Sequence, residues 1–263
     1  MMNRFFIRLS AWLTVGIIYL SLTTSGTLAE TRTLAKDTKL HPQGWTVGDF
    51  IDFKKNTIAV FNDSGEVVSG TLVNNTFLIP HGWNRVINDY YYITAYADTG
   101  PYLHRYHYPF IDRKYNIAIP GYGHLLYKGS TTVTFSEKGD VISGTLANEA
   151  TIRLIEGKYG FITFKENTLL SFFGSGAISS GTLDADTALR PVGWQKLPSE
   201  NDSAGFITFS KGKIITLNEA GEVTSGILKG SAKLLTEDGT LKVFPAGSLI
   251  VFDELGIASV ANK

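Results

Sequence analysis

His104, Arg105, Tyr106 and His107, followed by Asp112 and His124, gather imidazole nitrogens and a carboxylate in one short stretch, the ligand types that hold zinc. Two histidines three apart point to opposite faces of a β-strand, so they converge only through a turn, and no metal site is expected of them. The same stretch, residues 84–124, carries nine of the twelve tyrosines: Tyr90, Tyr91, Tyr92, Tyr96, Tyr102, Tyr106, Tyr108, Tyr115 and Tyr122. Tyrosine offers a large, rigid contact area at low entropic cost. Tyr90, Tyr91, Tyr92, Tyr102, Tyr106 and Tyr108, with His104 and His107, are therefore candidate ligand-binding residues for a glycan or a protein partner.

A second chemistry lies in the tryptophans. Trp45, Trp83 and Trp194 each close a Pro-x-Gly-Trp string: Leu40-His41-Pro42-Gln43-Gly44-Trp45, Leu78-Ile79-Pro80-His81-Gly82-Trp83 and Leu189-Arg190-Pro191-Val192-Gly193-Trp194. An indole projected from a turn can cover a sugar face while its N–H finds a hydroxyl. The competing expectation is that each ring folds back as a lid on its own segment.

Other chemistries are excluded or unsupported. Without cysteine there is no disulfide framework, thiolate metal site or cysteine nucleophile. With 24 basic against 24 acidic side chains, no nucleic-acid partner is expected, because phosphate recognition needs a basic surface. The sequence has no Gly-x-Ser-x-Gly elbow, Ser-x-x-Lys pair, His-Glu-x-x-His helix or phosphate-binding glycine loop. Asp184-Ala185-Asp186 lacks the spacing of a calcium loop. No cofactor is expected. A carboxylate pair for glycoside hydrolysis, about 5–10 Å apart, would form only in three dimensions.

The elements that must position these residues are repeats. Segments starting at Phe53, Tyr127, Phe164 and Phe209 align without gaps over 26 residues, and a shortened copy starts at Phe244. Eight residues after each opening aromatic stands Phe61, Phe135, Phe172, Leu217 or Phe252, and four later a glycine: Gly65, Gly139, Gly176, Gly221 or Gly256. The four longer copies then carry Val67, Val141, Ile178 or Val223, followed by a Ser-Gly pair. A leucine and an aliphatic six residues on close them, as in Leu72 and Leu78. An orphan tail, Leu34/Thr38/Leu40, precedes the first copy.

Stretches such as 57–61 and 168–172 are rich in β-branched and aromatic residues and lack a helical period, which predicts strands. Asn62-Asp63-Ser64-Gly65 has the chemistry of a type I turn closing a hairpin through a bulge. Each copy thus reads as a hairpin that turns at Ser-Gly into a further strand. Its few apolar side chains fall short of the entropic cost of ordering 26 residues, so the copies must stack. The expected fold is all-β, with tandem β-hairpin repeats stacked as an elongated, solenoid-like array. A barrel or sandwich of the same hairpins is the alternative.

The string Phe61-Asn62-Asp63-Ser64-Gly65-Glu66-Val67-Val68-Ser69-Gly70 resembles the aromatic-Asn-x-x-Gly-x-hydrophobic-x-x-Gly hairpins of bacterial cell-wall-binding and glucan-binding repeats. In that family a tryptophan commonly follows the last glycine; here Thr71, Thr145, Thr182 and Ile227 stand there. The resemblance, about ten residues per copy, implies hairpin geometry and an envelope-facing role.

Export is the remaining expectation. Arg4 and Arg8, an apolar run from Leu9 to Leu22, and Thr27-Leu28-Ala29 have the layout of a secretory signal peptide, which places the mature N-terminus near Glu30. No second stretch is long enough to span a membrane as a helix. Residues 30–263 then form one β-repeat domain with copies near 53–78, 127–152, 164–189, 209–234 and 244–263, and a Tyr/His-rich insertion at 84–124. The functional expectation is an exported, non-catalytic repeat protein that binds a glycan or protein partner at the cell envelope. A secreted hydrolase with its site in residues 81–124 and a purely structural envelope protein are the alternatives.

Overall fold

The computed structural model describes residues 30–87, 111–112, 117–118, 123–154, 160–197 and 205–261. Residues 1–29, the expected signal peptide, lie outside them. Eleven strands form one antiparallel sheet in chain order: β1 (Glu30–Thr33), β2 (Ile58–Phe61), β3 (Val67–Thr71), β4 (Thr132–Phe135), β5 (Val141–Thr145), β6 (Leu169–Phe172), β7 (Ile178–Thr182), β8 (Ile214–Leu217), β9 (Val223–Ile227), β10 (Leu249–Phe252) and β11 (Ala258–Val260). At about 4.8 Å per strand step the sheet runs on the order of 48 Å. It is open at both ends, so the stacked array rather than a barrel is the architecture.

A second layer consists of short ladders, each joining the closing strand of one copy to the opening strand of the next. Thr76–Leu78 pairs with Leu125–Tyr127, Ala150–Arg153 with Phe161–Phe164, Thr187–Leu189 with Ile207–Phe209, and Ala232–Leu235 with Leu241–Phe244. The orphan tail supplies the first ladder, Thr38–Leu40 against Ile51–Phe53. No copy owns a complete ladder, which is the physical reason one cannot persist alone.

The two layers enclose a continuous core in which equivalent residues line up. Phe53, Tyr127, Phe164 and Phe209 are fully buried, as are Val133, Leu170, Ile215 and Ile250 one layer over. Reciprocal backbone bonds tie the copies in register. Leu72 N donates to Thr131 O and Ser130 N to Leu72 O, and the pattern recurs at Leu146, Leu183 and Leu228. The residue on the turn side of this staple is left-handed in every copy: Asn56, Ser130, Asn167, Gly212 and Gly247.

The expected hairpin turn is present. Gly65 has φ +77°, Asn62 Oδ1 accepts from the Ser64 and Glu66 amides at 3.0 Å, and the register shifts between Val60 and Phe61. The expectation of a turn at Ser-Gly is corrected. Ser69-Gly70, Ser143-Gly144, Ser180-Gly181 and Ser225-Gly226 lie inside β3, β5, β7 and β9. A Cβ at these glycines would stand 2.4–2.7 Å from a ring carbon of the opening aromatic of the same copy. The glycine is there so that the ring can lie against backbone. In β1 the same column holds Arg32, whose guanidinium lies 4.7 Å over the Phe61 ring and covers the end of the stack where no earlier aromatic exists.

Candidate functional site

The Pro-x-Gly-Trp strings place their residues by a common rule. Each forms a turn closed from the tryptophan amide to the proline carbonyl, at 3.3, 2.9 and 3.1 Å for Trp45, Trp83 and Trp194. Each proline bridges in parallel to the strand start of the following copy: Pro42 to Val67, Pro80 to Val141 and Pro191 to Val223. The glycine then packs on the hairpin turn one copy further. A Cβ on Gly44 would meet the backbone at residues 137–139, one on Gly82 the carbonyl of Gly176, and one on Gly193 the Cα of Gly256. Each string therefore clips two successive copies together along the turn edge of the stack.

The side chains inside the clips follow this geometry. Gln43, buried, donates from Nε2 to Phe135 O at 2.7 Å, and Trp45 Nε1 donates to Gly139 O at 2.9 Å with its ring edge-on to Phe135. His81 Nε2 donates to Gly174 O at 2.6 Å, and its Nδ1 lies 3.3 Å from Asp140 Oδ2. Arg190 stacks over Trp194 at 4.0 Å and over Phe206 at 4.7 Å. Trp45 and Trp194 are half-buried, while Trp83 is 43% exposed.

Burial pushes the Asp140 carboxyl above the usual aspartate range, with the nearby His81 opposing the shift. A raised folded value means that the native state holds its proton more tightly. The contribution is favourable below the ordinary aspartate range and is lost as pH rises through the shifted value. Asp140→Asn is expected to be at least as stable as wild type at pH 7, with the difference closing as pH falls below the aspartate range. Urea unfolding of both proteins between pH 3 and 7 checks it.

Each tryptophan is followed by an excursion that returns to the next ladder. The excursions run for 5 residues after Trp45, 41 after Trp83 and 12 after Trp194. The bases of the two longer ones are alike. A Cβ on Gly123 would stand 3.1 Å from Trp83 Cε3, and one on Gly205 2.7 Å from Trp194 Cε3, so both rings seal the point where an excursion closes. The Tyr/His-rich insertion is the long member of this set. Its first residues join the core framework: Val86–Ile87 pairs with Thr151–Ile152, and Arg85 Nη1 donates to Leu154 O at 3.0 Å. Further on, Ile111–Asp112 pairs antiparallel with Ile117–Ala118.

Tyr90, Tyr91, Tyr92, Tyr102, Tyr106, Tyr108, His104 and His107 lie outside the described residues, as do the other tyrosines of the segment. Among the described residues no three His, Asp or Glu side chains come together in a group suited to a metal ion. The structure brings Trp83 to the base of this segment and sets Trp45 and Trp194 at equivalent clips on other copies. Sequence reasoning missed Gln43, His81 and Asp140 as members of the clips. The available signal was that Gln43, His81 and Val192 share the x of Pro-x-Gly-Trp.

Together these features define a repeat protein of stacked antiparallel hairpins, clipped along one edge and carrying one enlarged excursion. Comparison of the chain with protein-family models, with curated proteins and with solved structures finds no match. Among the described residues no helix is long and apolar enough to cross a membrane.

Proposed function

We infer that the chain is an exported, non-catalytic repeat protein of a bacterial cell envelope that uses residues 84–124, carried on a stack of repeats, to bind a glycan or a protein partner. The observation that carries this reading is the shared root of the two longer excursions. The frame is kept constant at Trp83 and Gly123, where Thr76–Leu78 pairs directly with Leu125–Tyr127, while the connection between them is enlarged to 41 residues rich in tyrosine. Variable loops on a fixed scaffold are where binding residues concentrate. The resemblance of the hairpins to cell-wall-binding repeats supports the envelope setting.

The test replaces residues 88–122 with a Gly/Ser linker, leaving Trp83, Val86–Ile87 and Gly123 in place. The shortened protein is expected to unfold with wild-type cooperativity and to lose retention on isolated cell walls and on a glycan array. Equal binding by both forms would remove the segment from the function.

A further inference from the structure

The outward face of the long sheet differs from an ordinary water-facing sheet, which carries charged side chains among its polar ones. β2 to β11 contain no Asp, Glu, Lys, Arg or His. Cross-strand register draws one unbroken line of outward residues over all eleven strands, from Thr31 at one edge to Ser259 at the other. Nine of its eleven positions are serine or threonine, and the other two are Val60 and Val251. Beside it runs a second line in which Ile58, Leu169, Ile214 and Leu249, between 39% and 65% exposed, face Thr33, Thr145, Thr182 and Ile227 respectively, and Thr71 faces Thr132. The spacing of both lines is constant even though the connections between copies differ widely in length.

We propose that this face binds a rigid, uncharged polysaccharide whose chains form an ordered, insoluble surface. The absence of charge along ten strands matches an uncharged partner. The face also lacks the aromatic and arginine anchors on which protein partners depend. Its groups are hydroxyls and methyls, which complement the hydroxyls and C–H faces of sugar rings. Ser143 and Ser171 are 3.1 Å apart, so one hydroxyl orients the other and the pair keeps an O–H and lone pairs for a ligand, whereas Ser69 donates to Val133 O at 3.1 Å and lies 3.2 Å from the Thr134 hydroxyl, so that pair offers lone pairs. One hydroxyl contact does not offset the cost of immobilising a ligand. A line of them engaged at once does, provided the ligand is itself stiff and periodic.

The inference rests on the reading of the chain as an exported binder but uses another surface, because segment 84–124 is rooted in the layer of short ladders. Pull-down on microcrystalline cellulose and on chitin, with cello- and chito-pentasaccharides as soluble competitors, tests it. Wild type is expected to be retained and not displaced by the pentasaccharides. Ile214→Lys and Leu169→Lys, at sites 65% and 54% exposed, are expected to lower retention at least tenfold with unchanged melting temperature. Ser180→Lys should do the same from within the hydroxyl line. The form lacking residues 88–122 should be retained like wild type, so this site and the segment fail separately. No retention of wild type on either solid, or equal retention of the lysine variants, overturns the proposal. So does a wild-type dimer in sedimentation equilibrium that Ile214→Lys makes monomeric, which assigns the face to a second copy. Retention on ice crystals in place of the polysaccharides likewise overturns it.

Discussion

Gly181→Ala is expected to destabilise the protein by about 3 kcal/mol, near the top of the range for overpacking a core, whereas Gly230→Ala should change stability by no more than about 1 kcal/mol in either direction. Both substitutions restrict the unfolded chain equally, so the difference reports on the native state alone. At Gly181 the new methyl would stand 2.4 Å from Phe164 Cδ1 and 3.0 Å from Leu170 Cδ1, and both side chains are fully buried. At Gly230 nothing lies within 4 Å. The Phe164 ring cannot retreat, because it is held between the long sheet and the ladder formed by Ala150–Arg153 and Phe161–Phe164. A smaller ring-column residue should relieve the clash. Gly181→Ala combined with Phe164→Leu is expected to cost less than the sum of the two single changes, the signature of direct contact. Urea unfolding measures all four proteins. In a chain of this size the Gly181 effect corresponds to a fall in Tm of roughly 6–12 °C. A Gly181→Ala protein as stable as Gly230→Ala would show that the ring does not rest on that backbone.

Tyr127→Phe is expected to stabilise the protein, by about 1–2 kcal/mol. Tyr127 is fully buried in the aromatic column, and its hydroxyl has no hydrogen-bond partner among the described residues. Placing an unpaired hydroxyl in such surroundings costs on the order of 1–3 kcal/mol in proteins, and the phenylalanine keeps the rest of the packing. The neighbouring columns already hold Phe53, Phe164 and Phe209. Desolvation also pushes the Tyr127 phenol far above its ordinary value. The folded state therefore keeps the proton at a pH where the unfolded chain releases it, and stability falls as pH rises past the ordinary tyrosine value. The advantage of Tyr127→Phe should widen above about pH 10. Chemical unfolding at pH 7 and pH 10.5 measures both effects. A variant less stable than wild type at pH 7 would mean that the hydroxyl is satisfied in solution, and the account of this position would fall.

Much of the architecture is legible in the chain because repetition shows which positions are under one constraint. The recurrence of Phe61-type residues, the turn glycine and the closing leucine gives the hairpins, their bulged turns and the need to stack. Those features depend on contacts within some ten residues, where side-chain alternation and backbone preference act directly. The Ser-Gly pair misleads for the same reason. Glycine beside serine is common turn chemistry, and nothing local reveals that an aromatic 17 residues upstream lies across Gly70, Gly144, Gly181 and Gly226.

The tryptophans mark the boundary in another way. Their motif is visible in the sequence, but Trp45 finds its partner at Gly139, 94 residues away, and Gly193 finds its partner at Gly256. Such pairings depend on how far each copy is offset from the next.

By itself the sequence determined the unit: its strands, its turns, its buried column residues, and the place where one connection grows to 41 residues. Tertiary structure alone decided that the copies share their ladders, that Pro-x-Gly-Trp clips two copies together, and that serine and threonine from nine of the eleven strands fall on one line. The reason is physical. Local preferences fix conformation residue by residue, whereas register between strands is fixed by packing and hydrogen bonds that exist only once the copies are side by side.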